Sequence, residues 1–257
     1  VLDFWFCEKK GCNKFFLKKI KKKLNLTHNY LIKLLHDSNR NFYKKNFFIL
    51  DGPKSNDRDV LNLIPKNESI ISFSNDEIDF GFKKLRELGI DKDEEFVCLS
   101  VRDSYYLNKT FPNKDFSHHD YKNSDVNNFN FAVEELNKKN IKVVRMGKGA
   151  GTEWSHDKTQ NIDYALSKLR SDFLDFFLVK FSKFTISNAS GFILIPIVLK
   201  KPLVLMDYVP IGYMYTFVQN SIHTFKHYYS IEEKRYLNLK ELLSEKYSTI
   251  LKTQGFK

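Results

Sequence analysis

The sequence contains little of the residue types that mark several specialised classes of protein. Its 257 residues include only 10 glycines and 6 prolines, which excludes a collagen-like or linker-like chain. It has three cysteines, an odd number, and Cys7 and Cys12 have no second pair or nearby histidine to complete a zinc site. We therefore expect neither a disulfide framework nor structural zinc. Cys98 lies in an apolar run and is predicted to be a buried thiol.

Long apolar runs are scarce as well. The longest apolar stretch, residues 192–199, is far shorter than the ~20 residues of a membrane-spanning helix. The start of the chain carries charge early and has no following apolar region, unlike a signal peptide. With 42% hydrophobic and 28% charged residues, the chain is expected to fold around a real core. We predict a cytoplasmic protein, with peripheral contact at the inner face of the cell membrane left open.

The positive charge is unevenly divided between the two basic residue types. The formal net charge is +11, yet 35 of the 42 basic residues are lysines and only seven are arginines. Lysine is a hydrated point charge typical of solvated surfaces, whereas the planar fork of arginine suits phosphate groups. The lysine excess therefore predicts a solvated surface rather than nucleic-acid binding. The positions of the arginines are more informative about function than the net charge.

The apolar pattern predicts an α/β fold that becomes regular near residue 76. Strands buried on both faces are predicted at 96–101 and 141–147, with further strands at 161–166, 184–190 and 202–207. Helices alternate with them at 75–88, 125–139, 171–179 and 191–199, as in a parallel sheet with right-handed crossovers. We predict a Rossmann-like C-terminal domain in residues 76–257. Residues 1–75 are predicted to be a partial, truncated or reduced N-terminal lobe with a linker.

Weaker signals lie outside this regular pattern. Amphipathic spacing predicts one or two helices within residues 15–35, and a short helix is predicted around residues 239–243. Short apolar runs predict strands at 46–50 and 70–73, and residues 104–123 are predicted to be a long polar loop.

Polar residues follow several of the predicted strands, and in an open parallel sheet ligands bind beyond the carboxyl ends of the strands. Arg102 and Asp103 follow the first strand, Arg145 and Gly147 follow the second, and the turn at 187–191 follows the fourth. Two arginines and the donors of a turn that opens a helix would hold a pyrophosphate. Three alternatives stay open: an ion pair between Arg102 and Asp103, a simple helix cap at 187–191, and a merely flexible glycine-rich loop at 147–151.

The segment 104–123 and Asp125 just after it supply candidates for proton transfer. His118, His119 and Asp125 are placed to act as acid or base toward a bound acceptor. Because adjacent side chains diverge, His118 and His119 are not expected to chelate one metal ion, and no metal site is predicted.

Six motifs occur in a definite order along the chain, and together they resemble a known family. They are FVCLSVRDSYYL, YKNSDV, VVRMG, IDYA, RSDFLDFFL and SNASGF, from residue 96 to residue 192. The set is similar to a group of bacterial glycosyltransferases of surface-polysaccharide loci, with V-R-D-S-x-Y-L, Y-R-N-S-D and R-S-D-x-x-D signatures. The resemblance extends over about residues 76–251. It implies a two-lobed GT-B fold with a fucosyltransferase-like donor domain.

The resemblance also implies an activity and a set of site residues. The activity is transfer of a sugar from a nucleotide sugar to a polysaccharide or lipid-linked glycan acceptor, without a metal or other cofactor. Asp172 and Asp175 would start a helix near the nucleotide, and Lys122 stands where the family pattern tends to have arginine. Arg102, Asp103, Asp125 and His118 are the catalytic candidates. The residues predicted to contact the nucleotide sugar are Arg102, Arg145, Gly147, Asp172, Ser187, Asn188, Ser190 and Gly191.

Two other functions remain open at this point. A nucleotide-sugar isomerase of the 2-epimerase type would use the same two-lobed architecture. A non-catalytic lobe that binds nucleotides or glycans would need only the binding residues.

Overall fold

The computed structural model describes residues 4–6, 13–42, 66 and 68–244. Its strands are β1 (Phe4–Phe6), β2 (Asn25–Thr27), β3 (Phe96–Ser100), β4 (Lys142–Arg145), β5 (Asn161–Asp163), β6 (Thr185–Ser187), β7 (Leu203–Tyr208), β8 (Ser221–Phe225), β9 (Tyr228–Ser230) and β10 (Arg235–Leu237). Its α-helices are α1 (Lys14–Lys21), α2 (Tyr30–Phe42), α3 (Asn75–Glu87), α4 (Tyr105–Thr110), α5 (Asn130–Asn137), α6 (Asp172–Phe181), α7 (Leu194–Leu199) and α8 (Leu239–Leu242). None of the described helices is long and apolar enough to cross a membrane.

Six parallel strands form the central sheet in the order β5-β4-β3-β6-β7-β8. The chain starts at β3, moves outward through β4 and β5, and then returns to the other side of β3 for β6, β7 and β8. This is the strand order of a Rossmann-like fold, and it puts the topological switch point between β3 and β6. The predicted parallel α/β architecture is therefore confirmed, while β8 adds a strand that the sequence pattern did not predict.

The central strand β3 is buried along its whole length because helices cover both faces of the sheet. All five of its residues are buried. Phe96 and Cys98 face one core with α3 and α6, whereas Val97 and Leu99 face a second core with α5. This alternation explains why the strand reads as one continuous apolar run.

An aromatic layer joins α1 to α6. Phe15 of α1 meets Phe173 edge-on with ring centroids 5.2 Å apart, and Phe16 stacks on Phe176 at 5.5 Å. The N–H of Lys14 also donates to the carboxylate of Asp172 at 2.8 Å. A helix from the predicted N-terminal lobe thus packs on the sheet domain. The boundary near residue 75 stays a prediction.

Side-chain hydrogen bonds cap the starts of two helices. Ser74 and Glu77 form a reciprocal capping box at the start of α3, and the Ser171 hydroxyl accepts the N–H of Leu174 at the start of α6. The helices predicted near residues 15–35 and 239–243 are also present, as α1, α2 and α8.

Several local predictions need correction. Residues 104–123 do not form a plain loop, because they contain α4 and a 3₁₀ turn at Ser117–Lys122. Residues 70–73 pair with no described strand, since Ile71 inserts its side chain into the core beside α3 and α6 instead. The hairpin of β9 and β10 was not predicted. The strand predicted at 46–50 lies outside the described residues.

Candidate functional site

A cleft of about 250 Å³ opens beyond the carboxyl ends of β3, β6 and β7. We call it the switch-point cleft, since it lies at the reversal of strand order where open α/β sheets bind ligands. Its lining combines two cations and a polar turn with apolar and aromatic side chains. Its lining consists of Arg102, Lys122, Ala189, Ser190, Gly191, Ile193, Leu194, Tyr208, Val209, Pro210, Tyr213 and Tyr215.

Arg102 lies just past the end of β3, where the strand leaves the sheet. Its backbone N–H donates to the side-chain oxygen of Asn188 at 2.8 Å, and its Nε donates to Oδ1 of Asn123 at 3.1 Å. Burial lowers the pKa of the guanidinium, and the nearby acids, Asp120 foremost, only partly oppose that effect. The structure therefore holds a half-buried arginine in the lining of the cleft.

Lys122 is the second cation of the switch-point cleft. It ends the 3₁₀ turn Ser117–Lys122, and its ammonium lies 5.4 Å from the ring centroid of Tyr121. Burial, followed by the charge of Arg102, lowers its pKa. Across the described part of the chain, no carboxylate forms an ion pair with Arg102 or Lys122. Two like charges kept together, with no ion pair to either among the described residues, favour binding of an anion.

The turn after β6 supplies neutral polar groups. The Ser190 hydroxyl oxygen is buried at the cleft wall and has no hydrogen-bond partner among the described residues, and the space beside Gly191 is open. Ser187 and Asn188 are fully buried behind the wall, where the Ser187 hydroxyl donates to the Asn188 carbonyl at 3.1 Å. The structure thus places Ser190 and Gly191 in the cleft, but it does not place Ser187 and Asn188 there.

The helix predicted after this turn is shorter than the sequence pattern suggested. Residues Gly191–Ile193 form a 3₁₀ turn, and only Leu194–Leu199 are α-helical. So short a helix contributes little dipole field at the cleft. The two cations are the main source of positive potential there.

Three other predicted binding residues lie away from the cleft lining. Arg145 is only 3% exposed, and its Nη1 lies 3.2 Å from a carboxylate oxygen of Asp163. Asp172 accepts the N–H of Lys14 and pairs with Arg170 at 3.2 Å. Gly147 has a φ of +154°, and a side chain there would meet the backbone of the following loop. Arg145 and Asp172 therefore have structural partners where they stand, and Gly147 meets a local backbone requirement.

The catalytic candidates are not brought together either. Asp103 accepts the N–H of Tyr105 at 3.0 Å and of Gly151 at 2.8 Å, so it fastens the glycine-rich loop and makes no ion pair with Arg102. Asp125 is exposed and caps the 3₁₀ turn Val126–Phe129. His118 is exposed, with its ring 4.0 Å from that of His119. No carboxylate or imidazole occurs among the described residues that line the cleft.

The aromatic side of the cleft was largely missed by the sequence reasoning. Tyr213 ends the 3₁₀ turn Ile211–Tyr213 after β7, and Tyr215 follows it. The Tyr208 hydroxyl donates to the carbonyl of Tyr213 at 2.7 Å. The one available signal was the cluster of three tyrosines in residues 208–215, close to a predicted strand end. Among the described residues, no group of three or more potential metal ligands is close enough to hold a metal ion.

The comparisons with protein-family models, with curated proteins and with solved structures each return no match. The function must therefore be inferred from the chemistry of the switch-point cleft.

Proposed function

We propose that the chain is a glycosyltransferase of the GT-B type that binds its nucleotide-sugar donor in the switch-point cleft. One observation carries the proposal. Arg102 and Lys122, both half-buried and without an ion pair among the described residues, share a cleft with three tyrosines at the switch point of a parallel sheet. A nucleoside diphosphate has the matching chemistry, since it joins a dianionic group to a flat aromatic base.

Each part of the donor has a complementary part of the cleft. Arg102 and Lys122 would bind the diphosphate through charge-assisted hydrogen bonds. The free hydroxyl of Ser190 would donate a neutral hydrogen bond to the same group. The base or ribose would lie along Tyr208, Tyr213 and the apolar residues beside them. The absence of a carboxylate from the described lining keeps the cleft suited to an anion.

The same residues account for how the transfer step would be promoted. In glycosyl transfer, the bond between the anomeric carbon and the diphosphate oxygen breaks, and the electron pair leaves with the nucleoside diphosphate. The growing charge on that oxygen is stabilised by Arg102 and Lys122, which act most strongly when the charge is fully developed. The acceptor hydroxyl attacks the anomeric carbon and loses its proton to a base that is not among the lining residues described.

A thermal-shift screen tests donor binding first. Nucleoside diphosphates and nucleotide sugars that bind only the folded state raise the melting temperature. We expect one base to give the largest shift, and we expect Arg102→Ala and Lys122→Ala each to reduce that shift sharply. Arg86→Ala and Lys139→Ala are matched controls, because both residues are exposed and lie before β3 and β4, at the opposite edge of the sheet.

A product assay with the selected donor then separates the possible activities. A glycosyltransferase releases nucleoside diphosphate and attaches the sugar to a polysaccharide or lipid-linked glycan. An isomerase would instead yield an isomeric nucleotide sugar without any acceptor, and a binding lobe would leave the donor intact. Full turnover by both Arg102→Ala and Lys122→Ala would refute the proposed role of the cleft.

A further inference from the structure

The two cations of the switch-point cleft come from separate segments of the chain. Arg102 follows β3, whereas Lys122 ends the 3₁₀ turn Ser117–Lys122. The charge of Arg102 disfavours the charged form of Lys122, so the two groups repel each other. Some part of the fold must hold both backbones in place against this repulsion.

One buried side chain contacts the backbone of both residues. Asn188 is 0% exposed. Its Oδ1 accepts the N–H of Arg102 at 2.8 Å, and its Nδ2 donates to the carbonyl of Lys122 at 3.1 Å. Asn188 is absent from the cleft lining, although the next three residues of its turn belong to it. The side chain therefore joins three segments of the cleft wall from behind.

We infer that Asn188 is a positioning residue, which holds the backbones of Arg102 and Lys122 so that both cations bind one anion. The inference rests on the proposed function, because it takes the cleft to be an anion site. In this role Asn188 acts through the two cations and does not contact the ligand itself. Asn123 has a separate task, since it accepts a hydrogen bond from the Arg102 side chain at 3.1 Å.

The chemistry of the carboxamide explains why asparagine suits this position. Its oxygen accepts and its nitrogen donates, and both backbone groups that it contacts are thereby satisfied. A carboxylate in its place could only accept, and would leave the carbonyl of Lys122 without its donor. A leucine of similar size would satisfy neither group.

A double-mutant cycle on the whole chain tests this role, with inorganic pyrophosphate as the probe and calorimetry as the readout. We expect Asn188→Asp and Asn188→Leu each to weaken binding by about tenfold, as loss of a buried hydrogen bond at a charged site implies. In the Arg102→Ala background, the same substitutions should weaken binding by about threefold or less, because Asn188 acts through the cations. An unchanged tenfold effect in that background would mean that Asn188 contacts the anion itself, and would overturn the inference.

Controls separate positioning from a general effect on folding. Asn140→Asp makes the same chemical change at an exposed turn before β4. The affinity of this variant for pyrophosphate should stay within about twofold of that of the wild type. Melting temperatures are measured on the same samples, and Asn188→Asp keeps one hydrogen bond in case Asn188→Leu does not fold. A lower melting temperature with unchanged pyrophosphate affinity would assign Asn188 to stability alone and contradict the inference.

The inference and the proposed function fail in different ways. Wild-type binding of pyrophosphate without any effect of Asn188 would overturn only the inference. If the double-mutant cycle gives the expected values for pyrophosphate but the protein binds no nucleotide sugar, the inference is supported and the proposed function is overturned. A wild-type protein that does not bind pyrophosphate would overturn both.

Discussion

Arg145 and Arg102 stand at equivalent places in the sequence, yet the structure predicts opposite outcomes when each is changed to methionine. Arg145 is 3% exposed and is paired with Asp163, which is itself 17% exposed, at 3.2 Å. Removing its charge leaves the carboxylate of Asp163 in a mostly buried position without a partner. Arg102 has no such partner among the described residues and lines the cleft. Arg145→Met should therefore impair stability, and Arg102→Met should impair binding.

The size of each effect follows from the burial of the groups. Breaking a buried ion pair from one side costs about 3 kcal/mol, which lowers the melting temperature of a chain of this size by about 6–12 °C. Removing a half-buried cation that binds a diphosphate costs about 2 kcal/mol of binding, or roughly thirtyfold in Kd. Arg145→Met should change the Kd for a nucleoside diphosphate by less than about twofold.

Differential scanning fluorimetry and calorimetric titration of the same samples measure both quantities. A double variant, Arg145→Met with Asp163→Leu, should recover much of the lost stability, because removing both partners of a buried pair is often nearly neutral. If Arg145→Met bound the nucleoside diphosphate thirtyfold more weakly and kept an unchanged melting temperature, this reasoning would be refuted. Arg145 would then be a residue of the binding site.

Three further predictions follow from single contacts. Gly81→Ala should lower the free energy of unfolding by about 1–3 kcal/mol, because the added methyl would lie 2.1 Å from the ring of Phe177. An unchanged melting temperature would contradict that packing. Burial raises the pKa of Cys98 to about 12, so iodoacetamide at pH 8 should not alkylate it until denaturant is added. Mass spectrometry measures the alkylation, and rapid labelling of Cys98 in the native protein would argue against the buried strand. Asp103→Asn should expose the glycine-rich loop to proteolysis, because the carboxylate of Asp103 accepts the N–H of Gly151 at 2.8 Å. Equal cleavage of the variant and the wild type would mean that this hydrogen bond is dispensable.

The parallel sheet could be predicted because its central strands are covered on both faces. β3 and β4 therefore read as continuous apolar runs between helical patterns, and Ser74 and Ser171 mark two helix starts by their hydrogen-bonding chemistry. β8 escaped prediction because it is an edge strand of alternating intermediate and exposed residues, with polar side chains at three of its five positions. Its place in the sheet depends on pairing with β7, which local sequence does not reveal.

The site was only partly predictable, because side-chain direction depends on register. Arg145 is the last residue inside β4, and its Cα is paired with that of Asp163 on β5, so the two side chains meet as cross-strand neighbours. Arg102 lies beyond the end of β3 and is free of that constraint. Lys122 reaches the cleft only because the Ser117–Lys122 turn folds back over the strand end, a tertiary contact that strand-end reasoning does not include.

Calorimetric titration of nucleoside diphosphates into the wild type and into a variant carrying both Arg102→Ala and Lys122→Ala tests the central claim most directly. The account predicts saturable one-site binding of at least one nucleoside diphosphate to the wild type, weakened by at least about a hundredfold in the variant. The variant that combines Arg86→Ala with Lys139→Ala should bind like the wild type. Equal affinity of the wild type and the cleft variant would contradict the account.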